Sequence, residues 1–161
     1  MDAESEAKRT TIEKKSDREV IVRRTFDASA RIVFEAWSKP ELFKRWWVPM
    51  SMGMTLVLCE QDVRTGGCYR LEFGQGMAFF GRYIEVTPHS RIVWTNEESG
   101  EDGSVTTVTF NEQDGKTLLT LSELYPSKEA FERAGGAEAG LSESFDQLEA
   151  LLTPIHLTSP R

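Results

Sequence analysis

The sequence predicts an α+β domain in which a curved, mostly antiparallel sheet of about seven strands wraps around a long C-terminal helix, with two short helices after the first strand. Two patterns predict this class. Between residues 19 and 124, β-branched and aromatic residues largely alternate with polar ones, and turn-forming residues separate the runs. After residue 126 the apolar residues recur at spacings of three and four, which is typical of one face of a helix.

The length and charge of the chain limit the classes of protein to consider. Its 161 residues fit one domain, and its formal net charge of −7 argues against a nucleic-acid partner, because phosphate binding needs clustered Lys and Arg. No run approaches the roughly 20 apolar residues that a membrane-spanning helix needs, and no secretory leader is evident. With Cys59 and Cys68 as the two cysteines, we expect a cytoplasmic protein with free thiols and no membrane association.

The N-terminal part of the chain changes character at residue 19. Residues 1–17 are mostly polar and charged, which predicts a flexible N-terminal arm. From Glu19 an alternating run predicts the first strand. Asp27 or Ser29 can then cap a first short helix, and a second short helix is predicted at 41–47.

Six further strands are predicted as an antiparallel meander. They lie at about 55–63, 68–73, 77–87, 91–97, 105–111 and 117–124. The turn Asp114-Gly115 is the strongest hairpin signal between them.

The C-terminal apolar stripe predicts the long helix. It consists of Phe131, Ala134, Ala137, Leu141, Phe145, Leu148 and Leu152. Gly135-Gly136 should separate a short lead-in from a main helix at 137–152, and Thr153-Pro154 should end it. The predicted domain therefore spans 18–153 and is followed by a tail at 154–161. A sheet that curls around such a helix should leave a space that is lined mainly by apolar groups.

Five groups of residues, in order along the chain, carry a resemblance to a known family. They are Phe26-Asp27-Ala28 with Val33-Phe34-Glu35-Ala36-Trp37, Pro40-Glu41-Leu42 with Trp46-Trp47-Val48-Pro49, Asp62-Val63-Arg64-Thr65-Gly66-Gly67, Gly81-Arg82-Tyr83-Ile84-Glu85-Val86 and Arg91-Ile92-Val93-Trp94-Thr95. In this order and spacing they resemble the activator of heat shock protein 90 ATPase homologue family. That family belongs to the helix-grip superfamily, which includes START lipid-transfer domains and the major birch pollen allergen. The resemblance covers residues 20–152 and implies a helix-grip domain with an internal cavity.

The sequence departs from the family pattern at two places. Ala28 stands where the family usually has proline, and Gly140-Leu141 stands where it usually has Gly-Trp. The smaller side chain of Leu141 implies a roomier cavity at the start of the last helix.

The candidate ligand-binding residues are mostly aromatic. They are Trp46, Trp47, Tyr69, Phe73, Phe79, Tyr83, Trp94, Phe110, Leu141 and Phe145. The alternative for the aromatic set is an ordinary packed core. Arg64 is a candidate polar anchor for a ligand carboxylate, or else an ion-pair partner of Asp62 or Glu60.

The sequence predicts no catalytic residue, no metal site and no cofactor. His89 falls in a predicted turn and His156 in the tail, and the two cysteines lack zinc-ligand spacing. The strand carboxylates are Glu72, Glu85 and Glu123. A buried one that faced the cavity would be a general-base candidate, but alternation alone does not fix which face each takes.

Three hypotheses for the function remain. The first is a binding or carrier protein for a small hydrophobic molecule, motivated by the aromatic residues and the expected cavity. The second is a chaperone-regulating interaction module, implied by the family resemblance. The third is a cyclase- or hydrolase-like enzyme that acts on a hydrophobic substrate. The partners we expect are a small hydrophobic molecule and, under the second hypothesis, a chaperone, with the chain as a monomer or homodimer.

Overall fold

The computed structural model describes residues 10–74, 76–98, 103–136 and 139–158, with side chains up to residue 153. We number its strands and α-helices in chain order. They are β1 (Thr11–Lys14), β2 (Glu19–Phe26), α1 (Ala30–Ser38), α2 (Pro40–Phe43), β3 (Leu56–Gln61), β4 (Cys68–Phe73), β5 (Ala78–Thr87), β6 (Arg91–Thr95), β7 (Val105–Gln113), β8 (Lys116–Leu124), α3 (Lys128–Ala134) and α4 (Gly140–Thr158).

All eight strands form one antiparallel sheet in the order β1-β2-β8-β7-β6-β5-β4-β3. From β3 to β8 each strand pairs with the next along the chain, as the predicted meander requires, and β8 returns to pair with β2. Register shifts in β3 and β5 mark bulges, which increase the twist of a sheet. With α4 packed on this sheet, the predicted α+β helix-grip class is confirmed.

Strand β1 was not predicted, because it lies in the segment expected to be a flexible arm. Thr11 pairs with Arg23 and Lys14 with Val20, so β1 forms one edge of the sheet. All four of its side chains are exposed. Such a strand is held by backbone hydrogen bonds, which set no requirement on its side chains. Its sequence therefore shows no alternation of apolar and polar residues.

Both helical regions differ from their predicted limits. The second short helix ends at Phe43 instead of continuing to residue 47, and hydrogen-bonded turns follow it. The last helix does not stop at Thr153-Pro154 but continues to Thr158, into the segment predicted as a tail. The φ angle of proline is compatible with a helix, and its missing N–H removes one backbone hydrogen bond without forcing the helix to end. Residues 137 and 138 of the predicted main helix lie outside the described residues.

Two glycines of the family-like segments lie where the backbone passes too close for a side chain. A Cβ atom on Gly67 would lie 2.0 Å from the carbonyl oxygen of Asp62, and one on Gly81 would lie 2.0 Å from that of Thr95. The turn that contains Gly67 also bonds to β5, since the Tyr83 N–H donates to the Gly67 carbonyl over 2.8 Å. Because these glycines have no side chain, Gly67 can approach the Asp62 carbonyl and Gly81 of β5 can approach the Thr95 carbonyl of β6. These close approaches help to position Tyr83.

Helix α4 packs against α1 and β2. Its apolar stripe buries Phe145, Leu148 and Leu152, and the rings of Phe26 and Phe145 meet edge to face at 5.8 Å. Among the described residues, no helix is both long and apolar enough to cross a membrane.

A buried arginine also joins this helix to the sheet. Arg24 of β2 is 6% exposed, and it donates to Asp146 and Glu149 of α4 over 2.6 Å each. Because a guanidinium is always charged, its burial depends on these carboxylates.

We expect the double substitution Asp146→Asn/Glu149→Gln to lower the free energy of unfolding by about 3 kcal/mol, since Arg24 would remain buried without a counter-charge. Urea unfolding measures this loss. In an Arg24→Met background the same double substitution should cost less than about 1 kcal/mol. An equal cost in both backgrounds would contradict the role given to the ion pairs.

Candidate functional site

A cavity of about 390 Å³ lies between the sheet, the short helices and the first turn of α4. Residues from most of the chain line it. They are Trp37, Phe43, Trp47, Val48, Pro49, Met52, Met54, Gln61, Tyr69, Leu71, Phe73, Met77, Phe79, Tyr83, Ile92, Trp94, Asn96, Glu98, Thr106, Leu121, Glu123, Gly140, Leu141 and Ser144. The packed part of α4 contacts α1 and β2, whereas β4, β5 and β6 contribute large aromatic side chains to the cavity lining.

Trp37 forms the wall between this cavity and the packed core. Its indole is almost completely buried, and it contacts the rings of six other residues at centroid distances of 4.8 to 6.3 Å. These residues are Phe43, Trp46, Trp47, Trp94, Phe110 and Phe145. The Nε1 atom of Trp37 is buried and has no hydrogen-bond partner among the described residues.

Seven of the ten predicted ligand-binding residues line the cavity. They are Trp47, Tyr69, Phe73, Phe79, Tyr83, Trp94 and Leu141. The other three, Trp46, Phe110 and Phe145, are buried in the core beside Trp37. For Trp46 the reason is a hydrogen bond, since its Nε1 donates to the Ala36 carbonyl over 3.0 Å and turns the indole towards α1.

Arg64, the predicted polar anchor, is not among the residues that line the cavity. Its Nε lies 2.9 Å from Oδ2 of Asp62, and both side chains are exposed. The structure therefore shows the ion-pair alternative for this arginine. Its exposed position follows from the tight turn at Asp62, in which Arg64 N–H donates to the Asp62 carbonyl over 2.9 Å.

One wall of the cavity carries a row of side chains from four neighbouring strands. Tyr83, Trp94, Thr106 and Glu123 occupy successive paired positions on β5, β6, β7 and β8. Of the three strand carboxylates considered from the sequence, Glu123 is the one that lines the cavity. Pairing across the sheet puts all four on one face, and this alignment depends on register, which alternation within one strand cannot give.

Asn96 connects this row into a hydrogen-bond network. Its Oδ1 accepts from Trp94 Nε1 over 3.3 Å and lies 3.2 Å from the Tyr69 hydroxyl. Its Nδ2 donates to Thr106 Oγ1 and to Ser104 Oγ, each over 3.0 Å. These bonds hold the polar wall rigid inside an otherwise apolar space. Asn96 was not identified from the sequence, because it falls within the strand predicted at 91–97 and the pattern there does not show that its amide meets Tyr69 and Trp94.

Burial raises the pKa of the two cavity tyrosines above the ordinary tyrosine value. For Tyr69 burial is the main factor that raises the pKa, and nearby acidic groups, first among them Glu98, raise it further. For Tyr83 burial again raises the pKa, partly offset by the hydrogen bond from Gln61 Nε2 over 3.3 Å. Both hydroxyls are therefore neutral hydrogen-bonding groups at physiological pH.

Helix α4 holds the segment that follows α2 over the cavity. Ser144 donates to the Trp47 carbonyl over 2.7 Å. Gln147 Nε2 donates to the carbonyls of Trp46 and Val48, each over 2.9 Å, and its Oε1 accepts from Met50 N–H over 2.8 Å. These contacts fix the position of the Trp47 side chain, which was not evident from the sequence.

Methionines lie where the cavity meets the surface. Met52 and Met77 line it while 58% and 47% of their surfaces stay exposed, and Met54 lines it beside them. Side chains that line the cavity and reach solvent mark its mouth. Methionine side chains are flexible and polarisable, so this mouth can change shape.

The described residues contain no group of three His, Cys, Asp or Glu side chains that could hold a metal ion. His89 is exposed and meets the ring of Phe34 edge to face at 5.5 Å, whereas the side chain of His156 lies outside the described residues. Cys59 and Cys68 are free thiols, and partial burial raises the pKa of Cys59.

An antiparallel sheet, a helix packed on it and an internal cavity between them define a helix-grip protein of the superfamily that includes START domains. The family model described as Activator of Hsp90 ATPase homolog 1-like protein matches residues 27–153, and the chain belongs to this family. This result confirms the family resemblance seen in the sequence.

Solved structures from several bacteria share the fold. A Rhodobacter sphaeroides protein has a TM-score of 0.80 at 20% identity, with 91% of this chain and 99% of that chain covered. Ms6760 from Mycobacterium smegmatis has a TM-score of 0.76 at 24% identity, with 91% and 99% covered. CV1439 from Chromobacterium violaceum has a TM-score of 0.66 at 28% identity, with 83% and 96% covered. The chain has no significant match among curated proteins.

We expect stability to fall as the pH rises above about 10, because Tyr69 and Tyr83 have raised pKa values in the folded chain and ionise first in the unfolded chain. The stabilisation that these two tyrosines contribute is fully present at pH values below the ordinary tyrosine pKa, and it is lost as the pH rises above that value. Urea unfolding between about pH 8 and pH 11 should show a shallower decline for Tyr69→Phe/Tyr83→Phe than for the unmodified protein. Ionisation of all three tyrosines of the folded protein near pH 10, seen in ultraviolet absorbance, would contradict this expectation.

We expect Gln147→Leu to lower the free energy of unfolding by about 1 to 2 kcal/mol, because it removes the partners of two carbonyls and one N–H in the segment over the cavity. The matched control is Gln113→Leu at the exposed end of β7, which should change stability by less than about 0.5 kcal/mol. Equal losses in the two variants would show that these hydrogen bonds do not hold the segment.

Proposed function

We propose that this protein binds and carries a small hydrophobic molecule in the cavity between its sheet and α4. The observation that carries this proposal is the cavity itself, with a volume of about 390 Å³ and a lining in which apolar and aromatic side chains predominate. Small-molecule sites in proteins are commonly concave, mainly apolar spaces of about 300 to 1,000 Å³ that contain a few placed polar groups.

The composition of the lining supports binding through shape and aromatic contact. Six aromatic residues predicted from the sequence provide most of the aromatic surface, and Trp37 lies between this surface and the packed core. The exposed methionines at the mouth give an apolar molecule a path from solvent into the cavity. Removal of apolar surface from water would supply most of the binding free energy.

The other two hypotheses receive less support from the described residues. The chaperone-regulating hypothesis depends on the family description alone. For the enzyme hypothesis, the candidate general base is Glu123, because it is the one of the three strand carboxylates that lines the cavity. Its Oε2 accepts a hydrogen bond from Ser104 over 2.8 Å. The polar groups of the lining mostly bond to one another, which favours a recognition surface over a reacting centre.

Two measurements test the proposal. Native mass spectrometry of the freshly purified protein should show a co-purified apolar molecule, and titration with the neutral dye Nile red should give saturable binding at one site per chain with a blue shift of its emission. Absence of both a co-purified molecule and saturable dye binding would overturn the proposal.

We expect Leu141→Trp to weaken Nile red binding by about tenfold and to raise the free energy of unfolding by about 1 kcal/mol, because the indole would fill space beside Pro49 and Ser144. Dye titration and urea unfolding measure the two effects. The matched control is Leu118→Trp on β8, where the side chain is exposed and does not line the cavity. If both variants bind the dye equally, Leu141 does not limit the space for a ligand.

A further inference from the structure

The charged groups among the described lining residues are all acidic. Of these residues, Glu98 and Glu123 carry carboxylates, and none is Lys, Arg or His. Glu123 is half-buried in β8, whereas Glu98 is exposed and accepts from the Phe80 N–H over 3.4 Å. The cavity therefore has a carboxylate inside it and a second carboxylate towards solvent.

The arginines of the neighbouring strands do not balance this charge from within the cavity. Arg70, Arg82 and Arg91 form ion pairs with Glu72, Glu97 and Glu85, and none of these six residues lines the cavity. In β5, Arg82 and the cavity residue Tyr83 are adjacent and point to opposite faces of the sheet.

The hydrogen-bond donors of the polar wall are largely committed to groups of the protein. The Tyr69 hydroxyl lies 2.8 Å from the Thr95 carbonyl, Asn96 Nδ2 donates to Ser104 and Thr106, and Ser144 donates to the Trp47 carbonyl. A carboxylate, by contrast, accepts at two oxygens and several positions, so it can keep an internal bond and still accept from a ligand. A ligand would therefore meet the acceptor oxygens of Glu98 and Glu123 at this wall, beside the hydroxyl of Tyr83, which accepts from Gln61.

The aromatic lining favours the same kind of ligand group. Trp94 lies in the same paired row as Glu123, two strands away, and its ring lies 6.4 Å from that of Tyr69 and 6.5 Å from that of Trp47. The faces of Trp and Tyr rings attract cations, and the attraction is stronger where water is excluded. The electrostatic environment at the Tyr69 hydroxyl is consistent with this, since the charged groups that shift its pKa are acidic.

From this geometry we infer that the cavity selects an apolar molecule that bears a protonated amine, with the ammonium group held by Glu123, Glu98 and the ring of Trp94, and that it rejects apolar carboxylic acids such as fatty acids. The inference rests on the proposed function, since it concerns the ligand of the same cavity. A carboxylate ligand would bring a like charge beside Glu98 and Glu123, and no described lining residue is a Lys, Arg or His that could bind it.

The test uses three probes that share one skeleton and differ in charge, namely 4-phenylbutylamine, 4-phenylbutan-1-ol and 4-phenylbutyrate. Each competes with Nile red for the full-length protein at neutral pH. We expect the amine to bind more tightly than the alcohol, and the alcohol more tightly than the acid, with about tenfold or more between amine and acid.

Variants separate the cavity carboxylates from the overall negative charge of the chain. Glu98→Gln/Glu123→Gln should lower the ratio of amine to alcohol affinity by about tenfold. The matched control, Glu41→Gln/Glu85→Gln, changes the net charge equally at residues outside the lining and should leave that ratio unchanged. If the first double variant does not fold, Glu98→Gln alone, at an exposed position, should lower the ratio about threefold.

The outcomes distinguish this inference from the proposed function. Binding of all three probes with equal affinity, or an amine preference that survives Glu98→Gln/Glu123→Gln, would overturn the inference and leave the carrier function standing. Failure of Nile red and of every probe to bind would overturn both. An amine preference that both double variants reduce equally would assign the effect to net charge and overturn the cavity site.

Discussion

The packing of the Trp37 indole is the interaction on which the rest of this structure depends. Six aromatic rings surround it, most of them meeting it edge to face or tilted, and such rings are too large and rigid to fill a concave sheet without gaps. On one side of the indole the rings of Phe110 and Phe145 pack into the buried core. On the other side the rings of Trp47 and Trp94 border open space. The same residue type thus builds both the core and the cavity.

Helix α4 has two roles that fall on different parts of its length. Beyond its first turn it is tied to the sheet, through Phe145 in the core and through Arg24, whose charge is balanced by two carboxylates of the helix. Its first turn instead provides Leu141 and Ser144 as part of the cavity lining. This division links the stability of the fold to the cavity, because the anchored part of the helix positions the residues that line it.

The fold was largely predictable because it depends on patterns that are local in sequence. The meander was predicted nearly strand for strand, and β4 was predicted with its observed limits. Strand β1 was missed because its exposed side chains carry no apolar alternation, and only its backbone pairing with β2 makes it a strand. The extension of α4 beyond Pro154 was missed because a proline lowers helix stability without determining where a helix ends.

The site was predictable in its residue types and much less in its geometry. Trp46 and Trp47 are adjacent and chemically identical, yet one is bonded into the core and the other borders the cavity. Likewise, alternation could not show that Glu123 is the strand carboxylate that lines the cavity. From the sequence alone, seven of the eight strands, the helix that covers them and the abundance of aromatic side chains between them were predictable. Only the tertiary structure decided which side chains face open space, because that depends on cross-strand register and on where α4 rests on the sheet.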